Sequence, residues 1–324
     1  MPILVTGATG FIGKNLVSLL LRKGYKVKAL VRGNRQLEVS NPALEIFNGD
    51  LTQMDTLSGI EENCNEVVHC AGVMGKWGID DSILNNININ AGINLLKRFK
   101  GKNIRRFLHI SAAGVTGPLI GKIADERYAC KPATAYEKSK LIGEQKILEY
   151  SKKMTIPLTV VRPTFTYGPG DHHKFALFKA VNDRHLPLVD SGKSVIHPVF
   201  IDDLVFGILL ALKQGISGEV YILGGEQPVT KKELIYTIAD ILGKKKPLLN
   251  IPHSVGSFAA TICEFLSPIF NVDPIFNHSR LSILSDNFGY SIKKAKEELG
   301  YNPKTTLREG LIKTITYYKK SRLL

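Results

Sequence analysis

The sequence predicts an α/β fold, a doubly wound parallel sheet carrying a smaller, mainly helical C-terminal lobe. Short β-branched runs alternate with helix-length segments through the first half, the pattern of βαβ crossovers. Several of those runs are apolar at nearly every position, as strands buried on both faces are. After about residue 165 Pro and Gly become frequent and helical periodicity takes over.

Taken in order, Ile3–Val5 reads as the first strand and is followed by a glycine-rich turn and a helix over Gly13–Arg22. Lys26–Val31 and Leu44–Asn48 read as the second and third strands, Met54–Ile60 as a helix, and Glu66–Cys70 as the fourth strand. A helix over Ile83–Phe99, a strand over Arg106–Ser111, a helix over Tyr136–Tyr150 and a strand over Leu158–Arg162 complete the alternation. Beyond it, Glu219–Leu223 is strand-like, and Asp202–Leu212, Thr230–Leu242, Val255–Leu266, Ile292–Leu299 and Leu307–Lys320 have helical periodicity. The expected division is a dinucleotide-binding domain over 1–165, its sheet completed by parts of 195–224, and an interleaved substrate-binding lobe over 166–324. The length of 324 residues suits one large domain or two coupled ones.

Composition excludes several classes. With 44% hydrophobic and 22% charged residues the chain is neither disordered nor fibrous. No apolar run reaches the ~18 residues of a membrane helix, and a strand beginning at Ile3 leaves no room for a leader, so a cytoplasmic location is expected. Cys64, Cys70, Cys130 and Cys263 form no CxxC pair or Cys/His cluster, so reduced thiols and no metal are expected. The net charge of +14 is concentrated at Lys97, Arg98, Lys100, Lys102, Arg105 and Arg106, and again at Lys244-Lys245-Lys246. Neither cluster is interleaved with aromatics in a nucleic-acid-binding motif. A solvated basic surface is the plain reading, with an anionic cofactor, substrate or membrane surface as the alternatives.

The chemistry begins at Thr6-Gly7-Ala8-Thr9-Gly10-Phe11-Ile12-Gly13. Glycines spaced in this way between a buried strand and a helix permit a tight turn and close approach of a pyrophosphate. The helix N-terminus then offers it unpaired N–H groups. The second strand ends in Val31-Arg32-Gly33-Asn34-Arg35, with no carboxylate to accept from a ribose 2′-hydroxyl. Arg32 and Arg35 suit a 2′-phosphate instead, so NADP(H) is favoured over NAD(H). Asp50 and Leu51, after the third strand, are placed for the adenine. Further on, Tyr136 and Lys140 lie four apart and share a helical face. A free phenol, with a pKa near ~10, is a poor proton donor or acceptor at neutral pH, and an adjacent ammonium is expected to lower it.

Together these residues resemble the extended short-chain dehydrogenase/reductase family, which includes NAD-dependent epimerases and dehydratases, hydroxysteroid dehydrogenases and dihydroflavonol reductases. The resemblance covers essentially the whole chain, through the glycine turn, Gly49-Asp50-Leu51, His69-Cys70-Ala71-Gly72, Asn88, Tyr136 with Lys140, Arg162-Pro163 to Asp171, His197 to Asp203, and Leu299-Gly300-Tyr301-Asn302-Pro303. It implies a Rossmann sheet whose cofactor contacts are Gly7, Thr9, Gly10, Phe11, Ile12, Gly13, Ala71, Gly72 and Pro163. It also implies that Tyr136 exchanges the substrate proton while Lys140 holds the nicotinamide ribose. Substrate contacts are expected at Trp77, Ser111, Thr166, His197 and Arg280, and a homodimer through the Tyr136 helix and the helix before it is possible within the family.

Two positions depart from the family's pattern. Many relatives carry a catalytic hydroxyl at the position of Ala112, and Ser111 is the nearby candidate, one place early. Either Ser111 takes over that role or the reacting oxygen is held differently. Nucleotide-sugar enzymes of the family often place a diphosphate-binding arginine where this chain has Ile196. The leading expectation is therefore an NAD(P)-dependent oxidoreductase acting on a ketone or secondary alcohol of a small substrate, apolar ones included. The alternative is a nucleotide-sugar epimerase or dehydratase with tightly held NAD. A dinucleotide-binding protein without turnover is a third reading, motivated by Ala112.

Overall fold

A computed structural model describes residues 1–75, 78–247, 249–270 and 276–324. The strands β1 (Ile3–Thr6), β2 (Val27–Val31), β3 (Leu44–Asn48), β4 (Glu66–His69), β5 (Arg106–Ile110) and β6 (Leu158–Pro163) lie in one sheet. Four short strands follow, β7 (Phe165–Tyr167), β8 (Leu188–Val189), β9 (Val195–Ile196) and β10 (Pro198–Phe200), before β11 (Val220–Leu223) returns to the main sheet. The last two are β12 (Val229–Thr230) and β13 (Asn250–Ile251). The main sheet has seven strands in the order β11-β6-β5-β4-β1-β2-β3, all parallel. Its strand order reverses between β1 and β4, and ligands of open α/β sheets bind at such a point, beyond the carboxyl ends of the strands.

The helices are α1 (Phe11–Arg22), α2 (Asp81–Asn85), α3 (Ala91–Arg98), α4 (Ala135–Lys153), α5 (Phe175–Asn182), α6 (Ile201–Gln214), α7 (Lys231–Leu242), α8 (His253–Phe270), α9 (His278–Ser285), α10 (Lys293–Leu299) and α11 (Leu307–Lys320). Strand alternation divides the core between two faces. Val5, Ala29, Val68, Leu108 and Val161 meet Leu16 and Leu20 of α1 and Leu204 and Ile208 of α6. Leu4, Leu30, Val67, Phe107 and Val160 meet Leu95 and Leu96 of α3 and Ile147 of α4 on the other face. The double winding follows directly from strands that are apolar at consecutive positions.

Within 195–224, β11 joins the main sheet, while β9 pairs antiparallel with β12 and β10 pairs parallel with β7. Two expected helices need correction. Met54–Ile60 is not a helix but a 3-10 turn over Met54–Leu57, ended where Gly59 turns to positive φ. The helix expected over Ile83–Phe99 is interrupted by a π turn at Asn86–Asn90, a distortion that often marks a functional position. Helices α5 and α9 lie outside the expected elements, being only eight residues each beside Pro- and Asn-containing turns. Among the described residues no helix is long and apolar enough to cross a membrane.

Candidate active site

The glycine turn is closed by contacts that no side chain could share. Gly7 has φ +64°, and a Cβ there would lie 2.7 Å from the Ala71 nitrogen. A Cβ at Gly13 would lie 2.1 Å from the Gly7 carbonyl, so α1 packs directly on the turn. Gly10 is the N-cap of α1 and provides no side-chain cap, leaving the first N–H groups of the helix without a side-chain acceptor. This cradle fits a dinucleotide pyrophosphate, with Thr9, Phe11 and Ile12 half-buried along it. Beyond β2, Arg32 is exposed and its Nη1 stands 3.7 Å from Asp50 Oδ2, while Arg35 is exposed. Burial raises the Asp50 carboxyl, but hydrogen bonds from the Thr52 N–H and hydroxyl, with the Arg32 charge, hold it below its ordinary value. Leu51 is buried beside it.

At the opposite side of the reversal, α4 opens with a capping box. The Thr134 hydroxyl accepts from the Glu137 N–H, and the Glu137 carboxylate accepts from the Thr134 N–H. That cap fixes Tyr136 in the first turn. The segment 71–75 lies over it so closely that a Cβ at Gly75 would fall 2.8 Å from Tyr136 Cβ. The same segment is tied down by Asn88, whose Oδ1 accepts from Val73 N at 2.9 Å and whose Nδ2 donates to Val73 O at 3.0 Å. Asn88 Nδ2 also donates to Ser139 Oγ at 2.9 Å, and that hydroxyl donates to the Tyr136 carbonyl at 2.7 Å. The π turn therefore brings Asn88 into a bridge between the 71–75 segment and the tyrosine helix.

Lys140 is buried, and its ammonium donates to the Ile110 carbonyl at 2.8 Å. A Cβ at Gly72 would lie 3.6 Å from Lys140 Nζ, so the lysine lies directly beneath the segment that Ala71 and Gly72 form. Burial pulls its pKa down to about 8, with Glu144 and Cys70 opposing. The expected lowering of Tyr136 is reversed: burial pushes the phenol up to about 12, and Glu137 adds to the rise. Desolvation of the phenolate dominates, and the Lys140 ammonium is engaged at the strand end.

Behind the lysine lies a buried polar group that sequence reading missed. Arg162 of β6 pairs with Glu144 through Nη2–Oε1 at 2.5 Å and Nε–Oε2 at 3.0 Å. His69 shares a 2.8 Å hydrogen bond between Nδ1 and Thr6 Oγ1, and its ring stacks on His109 at 5.4 Å. Burial and the Lys140 charge hold both imidazoles well below their ordinary value, His69 at about 3. Both could have been suspected, Glu144 from its place one turn beyond Lys140 and the histidines from their equivalent positions in adjacent strands.

The other expected residues divide clearly. Ser111 is buried with no hydrogen-bond partner for its hydroxyl, whereas Ala112 is half-buried. Pro163 is buried at the end of β6, and the Thr166 hydroxyl donates to the Thr164 carbonyl. His197 is buried against Gly224, its Nε2 2.9 Å from the Gly225 carbonyl. Arg280 is exposed on α9. Trp77 lies outside the described residues.

Comparison with known proteins agrees with the fold. The model of the NAD dependent epimerase/dehydratase family matches residues 3–224. A 3 beta-hydroxysteroid dehydrogenase/Delta 5-->4-isomerase of Mycobacterium tuberculosis is 25% identical, over 98% of this chain and 90% of the relative. A 4-hydroxy-2-methyl-3-oxo-4-farnesyl-3,4-dihydroquinoline-1-oxide ketoreductase of Stigmatella aurantiaca is 27% identical, over 96% of this chain and 95% of the relative. Among solved structures, a UDP-glucuronic acid 4-epimerase from Bacillus cereus in complex with NAD superposes with a TM-score of 0.79 at 26% identity, over 99% of both chains.

Proposed function

The chain belongs to the NAD dependent epimerase/dehydratase family, and from that premise we propose that it is an NADP(H)-preferring oxidoreductase interconverting a ketone and a secondary alcohol on an apolar substrate. The observation that carries the reading is Tyr136 and Lys140 at the opening of α4, facing the segment 71–75 that closes the glycine cradle. A nicotinamide dinucleotide, when bound, supplies the hydride acceptor or donor. The cradle from Gly7 to Gly13 holds its pyrophosphate, Asp50 and Leu51 its adenine, and Arg32 with Arg35 a 2′-phosphate.

Tyr136 gives a proton to the reacting oxygen during reduction and takes it back during oxidation. Lys140 positions the ribose hydroxyls from beneath Gly72, and Ser111, whose buried hydroxyl has no hydrogen-bond partner, supports the reacting oxygen. Support for an apolar substrate is Ile196, a buried strand residue where a diphosphate-binding arginine would stand, and the two enzymes named above for a hydroxysteroid and a farnesyl-bearing ketone. A homodimer through α3 and α4 would meet across a polar groove lined by Asn86, Asn90, Asn94, Lys97 and Lys146.

A nucleotide-sugar epimerase or dehydratase is the second reading, favoured by the close superposition on the UDP-glucuronic acid 4-epimerase. Nicotinamide fluorescence titrations with NADPH and NADH, followed by turnover with ketones and with sugar nucleotides, separate the two. Stoichiometric NADPH oxidation with a ketone supports the oxidoreductase. Conversion of a sugar nucleotide without net cofactor consumption contradicts it.

A further inference from the structure

Helix α8 wears its apolarity on the outside. Val255, Phe258, Ile262, Phe265 and Leu266 fall on one helical face, and Phe258 and Phe265 are 70% and 72% exposed. The opposite face is built from small residues: Ala260 is fully buried, and a Cβ at Gly256 would lie 2.8 Å from Leu281 of α9. Phe258 and Phe265 are thus largely unused in packing, while Val255, Ile262 and Leu266 remain partly covered. Leu249 just before α8 and Ile283 on α9 are exposed as well.

The hairpin that carries this face is held firmly. The Glu264 carboxylate accepts from the His278 N–H at 2.9 Å and pairs with His278 Nδ1 at 2.9 Å, and Ser257 Oγ lies 3.3 Å from His278 Nε2. Glu264 is the single Asp or Glu in α8. From α9 the chain runs into Asn287–Tyr290, which bridges to Leu119 and Ala124 and whose Tyr290 hydroxyl meets Thr116. Of those residues, Thr116 stands four places after Ala112. The exposed face therefore belongs to the element that leads into the wall of the active site.

Charge identifies the occupant. Lys244, Lys245 and Lys246 are exposed immediately upstream of α8, and the chain as a whole carries +14. An exposed apolar helix with an exposed lysine cluster shortly upstream in the chain suits the plane of an anionic bilayer, with apolar side chains among the acyl chains and the cations among the headgroups. We propose that α8 is a docking surface for an anionic lipid membrane, holding the enzyme against the bilayer without spanning it. The surface acts independently of hydride chemistry, so an inactive protein would still dock.

The test is flotation of the full chain with vesicles of phosphatidylcholine alone and of phosphatidylcholine with phosphatidylglycerol. The wild type should float with the anionic vesicles and lose binding in high salt. F258E/F265E should reduce the partition coefficient by at least about tenfold, and K244Q/K245Q/K246Q by about tenfold. Both variants should keep wild-type cofactor affinity, which checks folding. A dye attached at Phe258→Cys should shift to the blue on anionic vesicles. Failure of the wild type to float, equal binding to both vesicle types, or undiminished binding of F258E/F265E overturns the proposal. So does a solution dimer that F258E/F265E dissociates, which would make the face a self-interface.

Discussion

Lys140 donates to the carbonyl of Ile110 at 2.8 Å, joining the tyrosine helix to the end of β5 one residue before Ser111. This contact fixes the lysine beneath Gly72 and buries its charge. The consequence is a pair of opposed shifts, Lys140 down to about 8 and Tyr136 up to about 12. Both follow from removing a charged form from water.

The lysine shift sets a pH window. Below about 8 the folded protein holds a buried ammonium, and that cost is relieved as pH rises toward 10.5, where the unfolded lysine also loses its proton. Turnover needs the charged form, so kcat/KM should fall with an apparent pKa near 8. Stopped assays across pH 6.5–9.5 (roughly the span that brackets it) check the limb, and Lys140→Met should lower kcat by about 10²-fold or more.

The stacked histidines make the fold acid-sensitive. His69 stays neutral in the folded state down to about 3, and His109 is held well below its ordinary value of 6.5. The unfolded chain binds those protons first, so stability should be lost as pH falls from 6.5 toward 3. His109→Phe should flatten the dependence of Tm on pH over that range, measured by calorimetry.

The Glu144–Arg162 pair is buried on both sides. Removing one partner strands a charge, so Arg162→Met should cost about 3–5 kcal/mol in urea unfolding. The double variant Glu144→Gln with Arg162→Met should recover part of that loss, and a simple sum of the two single effects would show that the pair is not coupled.

Cofactor choice rests on two exposed cations. Arg32→Ala with Arg35→Ala should weaken NADPH binding by about tenfold to a hundredfold and leave NADH nearly unchanged. Equal losses for both cofactors would place the arginines elsewhere than at a 2′-phosphate.

The serine question has a paired test. Ser111→Ala should lower kcat by about tenfold if its hydroxyl supports the reacting oxygen, and Ala112→Ser, at the half-buried neighbouring position, should raise it. A silent Ser111→Ala with a faster Ala112→Ser would assign the role to position 112 alone.

Much of this was legible because the phosphate turn and the tyrosine helix are local devices. Gly7, Gly10 and Gly13 announce a backbone approach, and Tyr136 with Lys140 shares one face of a periodic helix. The buried network was less visible, since Arg162 and Glu144 meet only after the sheet brings β6 beside α4. Helix α8 shows a different limit: periodicity reveals an apolar face but not whether protein covers it. The π turn at Asn86–Asn90 arises from tertiary ties of Asn88 to Val73 and Ser139, which no local propensity encodes.

The most direct measurement compares the wild type with Tyr136→Phe. Cofactor affinity is read by nicotinamide fluorescence, and nicotinamide oxidation is followed with a panel of apolar ketones. The expected result is ketone-dependent NADPH oxidation that Tyr136→Phe abolishes while cofactor affinity stays within about twofold, because the tyrosine moves a proton and does not hold the pyrophosphate. Turnover that persists in Tyr136→Phe, or a wild type that binds NADPH and oxidises it with no ketone, would contradict the assignment.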